Sequence, residues 1–271
     1  MRMNTPARFA GSRALVLGTA AVLLLLTASS GQAAMTCSAT SGAQTVPLVE
    51  LFTSEGCDSC PAADRWLTSQ FPAARTTSDA TALAFHVDYW DRLGWKDRFA
   101  TAQYTQRQYD AMRANRATFV YTPQVLVQGR DVASWRGGAV ADLLAAARKR
   151  PARAFVTLAI DGDAGGNFPV RALATVADHA LRKDAVLWLA YADSGLVSDV
   201  KAGENRGVQL HHDHVVRSLH GPYPVDANGT AAASLTVAPP REPGRSPALV
   251  AVVQDRKNGE VLQTLTLPAC R

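Results

Sequence analysis

The pattern of secondary structure changes once along the chain, near residue 151, and this change most constrains the fold. Over residues 46–150, β-rich runs alternate with helical patterns such as "DRFATAQYTQRQYDAMRAN" at 97–115. Such alternation is typical of an α/β layer with parallel strands. After Pro151, short strand patterns follow one another with turn residues between them, as in an antiparallel sandwich. The sequence therefore predicts an α/β domain over 44–150 and an antiparallel β domain over 152–271.

The first 33 residues have the pattern of a secretory signal. Arg2, Arg8 and Arg13 precede the uncharged run 14–28, and small residues follow up to Ala33. This order predicts cleavage near Ala33 and export to the periplasm or the cell exterior. A retained anchor is the alternative, but the uncharged run is shorter than the roughly 20 residues that span a bilayer. We therefore expect no stable membrane span after cleavage.

The charge balance argues against nucleic acid as a partner. The chain has 28 Lys and Arg against 23 Asp and Glu, but the predicted signal holds three of the basic residues and none of the acidic ones. The mature chain is therefore close to neutral, and its longest basic run is "RKR" at 148–150. A nucleic-acid-binding surface needs a concentrated basic patch.

Cysteine usage fits an exported protein. The chain has four cysteines, Cys37, Cys57, Cys60 and Cys270. Outside the cytosol an even number suggests disulfide pairs. Cys57 and Cys60 can pair locally, which leaves Cys37 and Cys270 to tie the two ends of the mature chain together. Two unpaired or intermolecular thiols are the alternative for Cys37 and Cys270.

The "CDSC" segment fits a redox-active dithiol. It lies between a β-rich run and a helical pattern that begins at Pro61. The N–H groups at a helix N-terminus stabilise a thiolate, and two intervening residues place the second thiol within reach of the first. A permanently oxidised structural disulfide remains the alternative. A zinc site would need two more ligands at a spacing that Cys37 and Cys270 do not have.

A second segment, "YTPQVLVQG" at 121–129, has a proline that opens a strand. Together with "GCDSCP" it resembles the thioredoxin superfamily, and it is glutaredoxin-like at the strand after the proline. The fuller set of "VELFTSEGCDSCPAAD", "FHVDYWDRLGWKDRFA", "RQYDAM" and "GENRGVQLHHDHVVR" resembles an uncharacterised family of secreted bacterial thioredoxin-like proteins, a domain of unknown function. The resemblance runs from about Val46 to beyond Arg217. It implies an α/β thioredoxin-like domain with a helical insertion, followed by an antiparallel β-sandwich-like domain.

The resemblance also implies residue roles. Cys57 would be the nucleophile, Cys60 the resolving thiol and Pro123 a cis-proline preceded by Thr122. Glu50, on the strand that leads to the dithiol, would be a buried acid that accepts the proton of the second thiol. A solvent-facing glutamate is the alternative for Glu50.

Acidic neighbours predict the redox character of the couple. Asp58 lies between the cysteines and Glu55 just before them. Negative charge disfavours a thiolate, so we expect a moderate or reducing couple. The expected partners are protein or small-molecule thiols and disulfides, and no cofactor is expected. The loop at 88–97, with Trp90 and Trp95, either covers the core or forms part of a substrate surface.

Three histidines support a rival function of another class. His211, His212 and His214 lie in the strand-like run "GVQLHHDHVVRSL". On one strand His212 and His214 would share a face, a spacing that can bind a transition metal. The rival is a periplasmic copper-binding or metallochaperone-like protein that uses the dithiol and these histidines. A non-catalytic binding protein with a structural disulfide is a further alternative.

Overall fold

The computed structural model describes residues 1–4, 36–72, 79–162, 167–238 and 246–269. Ala34–Arg271 form one compact unit, and Met1–Ala33 form another. The apolar run and the cleavage site of the predicted signal lie outside the described residues. Within those ranges, no helix has the length and apolar character needed to cross a membrane.

The fold is mixed α/β and mostly β. The helices are α1 (Cys60–Gln70), α2 (Ala102–Ala114), α3 (Ala139–Arg148) and α4 (His179–Arg182), and a 3₁₀ helix covers Asp88–Leu93. The strands are β1 (Thr36–Thr40), β2 (Leu48–Thr53), β3 (Thr81–His86), β4 (Gln124–Val127), β5 (Arg130–Asp131), β6 (Phe155–Asp161), β7 (Phe168–Thr175), β8 (Ala185–Asp193), β9 (Leu196–Asp199), β10 (Gln209–His212), β11 (Val215–Pro224), β12 (Thr230–Val237), β13 (Ala248–Asp255) and β14 (Val261–Pro268).

Eight of the described strands form one mixed sheet, in the order β14-β13-β8-β11-β3-β2-β4-β5. β2 and β3 are parallel, whereas β4 pairs antiparallel with β2 and β5 antiparallel with β4. The strands from before and after residue 151 meet where β11 lies parallel to β3, at Val215 and Ala84. The pattern change near residue 151 therefore does not interrupt the sheet. The division into two domains stays a prediction.

A second, antiparallel sheet packs on the far end of the first. Its order is β1-β6-β7-β12. Alternate residues of β6, such as Val156, Leu158 and Ile160, pack with Leu187 and Leu189 of β8 in one core. This inward and outward alternation is the pattern of two sheets packed face to face. The β1 strand comes from the part before residue 151, so both parts of the chain contribute to each of these two sheets.

The two faces of β2 pack on different helices. Val49 and Leu51 share a core with Ala63 of α1 and Leu144 of α3. Phe52, which points the other way, packs with Tyr104 of α2. Successive side chains of a strand point to opposite faces, so Glu50 shares the α2 face with Phe52.

The run predicted as one strand around the histidines is two strands. β10 pairs with β9, whereas β11 pairs with β8 and β3. The break falls at Asp213 and His214, where His214 has a φ of 59°. Asp213 accepts a hydrogen bond from the Gly195 amide, and the Ser194 hydroxyl accepts one from the His214 amide. These turn contacts end one strand and start the next.

Candidate functional site

The two central cysteines form a disulfide at the start of α1. Cys57 lies in the turn after β2, Cys60 is the first residue of α1, and their Cα atoms are 5.4 Å apart. Pro61 occupies the first turn, where a missing N–H costs no hydrogen bond. Both cysteines are fully buried, whereas Asp58 and Ser59 between them are exposed. The sulfurs therefore lie beneath the surface of the turn.

A cis peptide bond directly precedes β4, the strand next to β2. The Thr122–Pro123 bond is cis, and the next residue, Gln124, pairs with Phe52 near the end of β2. Trp90 joins the two segments: its Nε1 donates to the Thr122 hydroxyl at 2.8 Å. Its Cβ would lie only 3.0 Å from a Cβ added to Gly56. Trp90 packs on the core as well, so the loop at 88–97 serves both the core and the site.

Glu50 is neither beside Cys60 nor exposed to solvent. It lies on the α2 face of β2, and its Oε1 accepts a hydrogen bond from Arg107 Nε at 2.7 Å. The Arg107 guanidinium also stacks over the rings of Phe85 and Trp188. Because α1 packs on the opposite face, this geometry does not support Glu50 as the proton acceptor of Cys60.

Asp64 is the acid nearest to Cys60 along α1. It lies four residues after Cys60, so the two side chains are neighbours on the helix surface. Asp64 is 9% exposed and accepts a hydrogen bond from the Thr53 hydroxyl at 2.9 Å. Burial raises the pKa of Asp64, although the nearby His212 and His86 act in the opposite direction. A buried carboxyl with a raised pKa can exchange protons near neutral pH.

Asp64 belongs to a buried acid–histidine cluster with Glu55, His86, Asp97 and His212. His86 Nδ1 lies 2.7 Å from Asp97 Oδ2. His212 Nε2 lies 3.3 Å from Glu55 Oε1, and its Nδ1 lies 3.9 Å from Asp64 Oδ2. The two histidine rings meet edge to face with centroids 5.0 Å apart. The cluster thus continues from Glu55, just before Gly56, to the second turn of α1.

Charged and hydrogen-bonding partners outweigh burial at three cluster residues, His86, Asp97 and Glu55, but not at Asp64. Burial disfavours a charged His86, but Asp97 raises the pKa of His86 above its ordinary value. Burial also favours a neutral Asp97, but His86 lowers the pKa of Asp97. Burial also favours a neutral Glu55. Its pKa is nevertheless lowered, because His212 lies beside the carboxylate and Trp95 donates a hydrogen bond of 2.7 Å to it. Glu55 and Asp97 therefore stay ionised.

The predicted metal-binding histidines have separate environments. His212 lies in the buried cluster, His211 is exposed, and His214 Nε2 lies 2.5 Å from the Phe71 carbonyl oxygen. The shared strand face expected for His212 and His214 is wrong, because β10 ends at His212. Among the described residues, no group of three or more His, Cys, Asp or Glu side chains is arranged to hold a metal ion.

Sequence reasoning missed most of this cluster. Asp64 had a usable signal, an acid four residues after a cysteine on a predicted helix. His86 precedes the loop at 88–97 and Asp97 ends it, and the sequence predicts only core cover or substrate contact for that loop. His212 comes from more than 140 residues beyond Asp64, and a local pattern cannot place it there.

Only one cysteine of the predicted Cys37–Cys270 disulfide, Cys37, lies within the described residues. Cys37 lies on β1, and its sulfur is 4.0 Å from the Pro268 carbonyl oxygen. Cys270 lies outside the described residues. The Cys37–Cys270 bond therefore stays a prediction, and the contact with Pro268 places β1 next to the end of β14.

Comparison with known protein families identifies the family of this chain. Residues 48–254 match the model of a family described as a protein of unknown function (DUF1223). The chain belongs to this family. The matched residues include the dithiol, the cis-proline and the whole acid–histidine cluster, so these features lie within the DUF1223 region.

Solved structures show a related fold. A structural-genomics crystal structure from Agrobacterium tumefaciens is 26% identical, with a TM-score of 0.56, and the match covers 83% of this chain and 96% of that one. HBP35 of Porphyromonas gingivalis is 12% identical, with a TM-score of 0.59, and the match covers 83% and 76% of the two chains. At that identity the likeness to HBP35 concerns the fold alone. No curated protein sequence matches the chain.

Proposed function

We propose that this DUF1223 protein is an exported thiol–disulfide oxidoreductase with a thioredoxin-like α/β part. The observation that carries the proposal is the Cys57–Cys60 disulfide at the N-terminus of α1, together with a cis Thr122–Pro123 bond just before β4, the strand next to β2. The strand order β3-β2-β4-β5, with its first pair parallel and the others antiparallel, supports the thioredoxin-like resemblance.

The proposed reaction is exchange between the dithiol and a client disulfide. The Cys57 thiolate attacks one client sulfur, the client S–S bond breaks, and the released client thiolate takes up a proton. Cys60 then attacks the Cys57 sulfur, which forms the Cys57–Cys60 bond and releases the second client thiol. Two electrons pass from the protein to the client, and the reverse sequence oxidises a client dithiol.

Asp64 is the group that we assign to the Cys60 proton in place of Glu50. It lies one helical turn from Cys60, it is buried, and burial raises its pKa. These three properties suit a general base for the resolving thiol.

The surrounding charge supports a moderate or reducing couple. Glu55 stays ionised close to the dithiol turn and Asp58 lies between the cysteines, whereas the charge of Asp97 is offset by His86. Negative charge raises the free energy of a thiolate, so it disfavours the reduced, ionised form that a strong oxidant needs. The His86 pKa is raised by Asp97, but that histidine is already paired with the carboxylate.

A redox titration of the mature protein tests the proposal. The protein is equilibrated in glutathione and in dithiothreitol buffers, and differential alkylation with peptide mapping reports Cys57 and Cys60 separately from the other cysteines. We expect reduction within the range of biological dithiol couples, and insulin reduction that is lost in Cys57→Ser. A pair that stays oxidised against strong dithiol reductant in the native protein would indicate a static structural disulfide instead.

The copper-binding alternative is not favoured by a specific contact. His212 faces Glu55 and Asp64, and His214 faces the Phe71 carbonyl, so the described histidines do not converge on the dithiol as a ligand set.

A further inference from the structure

A loop from the second half of the chain lies on the dithiol turn. Residues 200–208 connect β9 to β10, and we call them the dithiol cover. Asn205 of this loop is buried, and its side-chain amide donates to the carbonyl oxygens of Glu55 and Cys57, both at 2.9 Å. The Glu204 carboxylate accepts a hydrogen bond from the Asp58 amide at 3.1 Å. The cover thus binds the backbone on both sides of Cys57.

These contacts matter because thiol–disulfide exchange needs direct approach to a sulfur atom. Cys57 has no exposed surface, although Asp58 and Ser59, which follow it, are exposed. A client sulfur therefore cannot reach Cys57 in the described arrangement, and one of the elements around it has to move.

The cover is a largely exposed loop that side chains hold on the dithiol turn. Its hydrogen bonds to the dithiol turn are side-chain to backbone bonds, from Asn205 and to Glu204. It keeps its own shape through bonds inside the loop, from Gly207 to Val200 and from Val208 to Asn205. Most residues of the cover other than Asn205 are exposed or half-buried. Segments with few buried contacts open at low free energy, independently of the core.

We propose that Asn205 is a positioning residue of the redox site: it latches the dithiol cover, and a client reaches Cys57 only after its two hydrogen bonds break. This inference rests on the proposed function for its purpose, because access to Cys57 matters only if that sulfur reacts. The cover selects clients that can displace the Asn205 amide from the Glu55 and Cys57 carbonyls. The part of the chain after residue 151 thereby controls access to the dithiol.

The test measures access to the disulfide without any client. Tris(2-carboxyethyl)phosphine attacks one sulfur, the S–S bond breaks, and water converts the phosphorus adduct to phosphine oxide, leaving two thiols. We expect the oxidised mature protein to react slowly and Asn205→Ala to react roughly 10-fold faster, as for the loss of two hydrogen bonds of ordinary net strength. Glu204→Ala removes one bond and should react roughly 3-fold faster. Gln209→Ala, which loses only its bond to Asp199, is the matched control and should react like wild type.

Equal rates for wild type and Asn205→Ala would overturn the inference, as would an equal acceleration in Gln209→Ala. If Asn205→Ala does not fold, the exposed Glu204→Ala decides the question by itself. Low urea separates local opening from global unfolding, because a local opening exposes little surface and its rate changes little with denaturant. If phosphine reduces Asn205→Ala faster than wild type but the wild-type protein does not reduce insulin, the proposed function is wrong and the inference about the dithiol cover still holds. If the wild-type protein reduces insulin but phosphine reduces Asn205→Ala at the wild-type rate, the proposed function stands and the inference about the dithiol cover is wrong.

Discussion

Two acids close to the dithiol in sequence have opposite environments. Glu50 forms an ion pair with Arg107 on the α2 side of β2, whereas Asp64 lies on α1 near the Thr53 hydroxyl and the two cluster histidines. The difference arises because β2 side chains alternate between two faces: Glu50 points to the α2 face, and α1, which carries Asp64, packs on the other face. Single substitutions can therefore test which of the two acids accepts the proton of Cys60.

Asp64→Asn should slow the second step of the exchange. The variant keeps an oxygen that can accept the Thr53 hydroxyl but loses the base, so we expect release of the mixed disulfide to slow roughly 100-fold. Rapid acid quenching and mass spectrometry of the mixed disulfide measure this step. Glu50→Gln is the matched control, and its release rate should equal that of wild type. A normal rate in Asp64→Asn together with a slow one in Glu50→Gln would restore the original assignment.

His86→Gln should destabilise the protein in a limited pH range. A raised His86 pKa gives stability that is present below the ordinary value of 6.5 and lost as the pH rises through the folded-state pKa. A lowered Asp97 pKa gives stability that is present above 3.8 and lost as the pH falls through the folded-state pKa. The loss should therefore be largest between these two values, about 3–5 kcal/mol for one partner of a buried pair.

Urea unfolding at several pH values measures this loss. His220→Gln is the control with the opposite trend, because burial lowers the pKa of His220. That histidine opposes folding once the pH falls below 6.5, so its replacement should help stability only at low pH. A pH-independent loss in His86→Gln would show that the ring acts by packing and not by charge.

At the scale of elements, the hydrophobic pattern predicts a strand or helix correctly where a single periodicity extends through the whole segment. The sequence indicates the strand before the dithiol, the helix after it, the strand after Pro123 and the short strands that follow Pro151. It failed at the run that contains His212 and His214, where the alternation continues across a turn. The turn depends on Ser194 and Gly195, which lie on another part of the chain, so no local pattern contains it.

Gly129→Ala tests how two turns meet. Gly129 has a φ of 76°, and a Cβ there would lie 1.9 Å from the Gly259 carbonyl oxygen. The substitution brings backbone strain and a clash with backbone, so we expect a loss of about 3 kcal/mol or more in the free energy of unfolding. Gly94→Ala is the matched control: its φ is 95°, but no atom lies within 4 Å of the added Cβ. It should lose only about 1 kcal/mol, from the positive φ alone. Equal losses in urea titrations would show that the two turns separate easily.

At the scale of the whole molecule, the site depends on contacts between distant parts of the chain. β3 is parallel to both β2 and β11, and the Ala84 amide donates to the His214 carbonyl at 2.8 Å. His212 and Asn205 then approach the dithiol from the second half of the chain. Composition and periodicity predict strands but not which distant strands pair, so the continuous sheet and the cover were not predictable from the sequence.

A fragment of residues 34–151 tests whether the first part is a domain. The fragment would lose β6, the partner of β1, and β11, the neighbour of β3. It would also lose His212, which leaves Glu55, Asp64 and Asp97 buried with His86 as the only histidine of the cluster. Uncompensated buried charge costs several kcal/mol, comparable to the whole stability of a small domain. We therefore expect no cooperative unfolding transition in the fragment and no slow amide exchange in β2 and β4, whereas Ala34–Arg271 shows both. A fragment that unfolds cooperatively and protects those amides would show that the boundary near residue 151 is a domain boundary. The first part of the chain would then fold without the second.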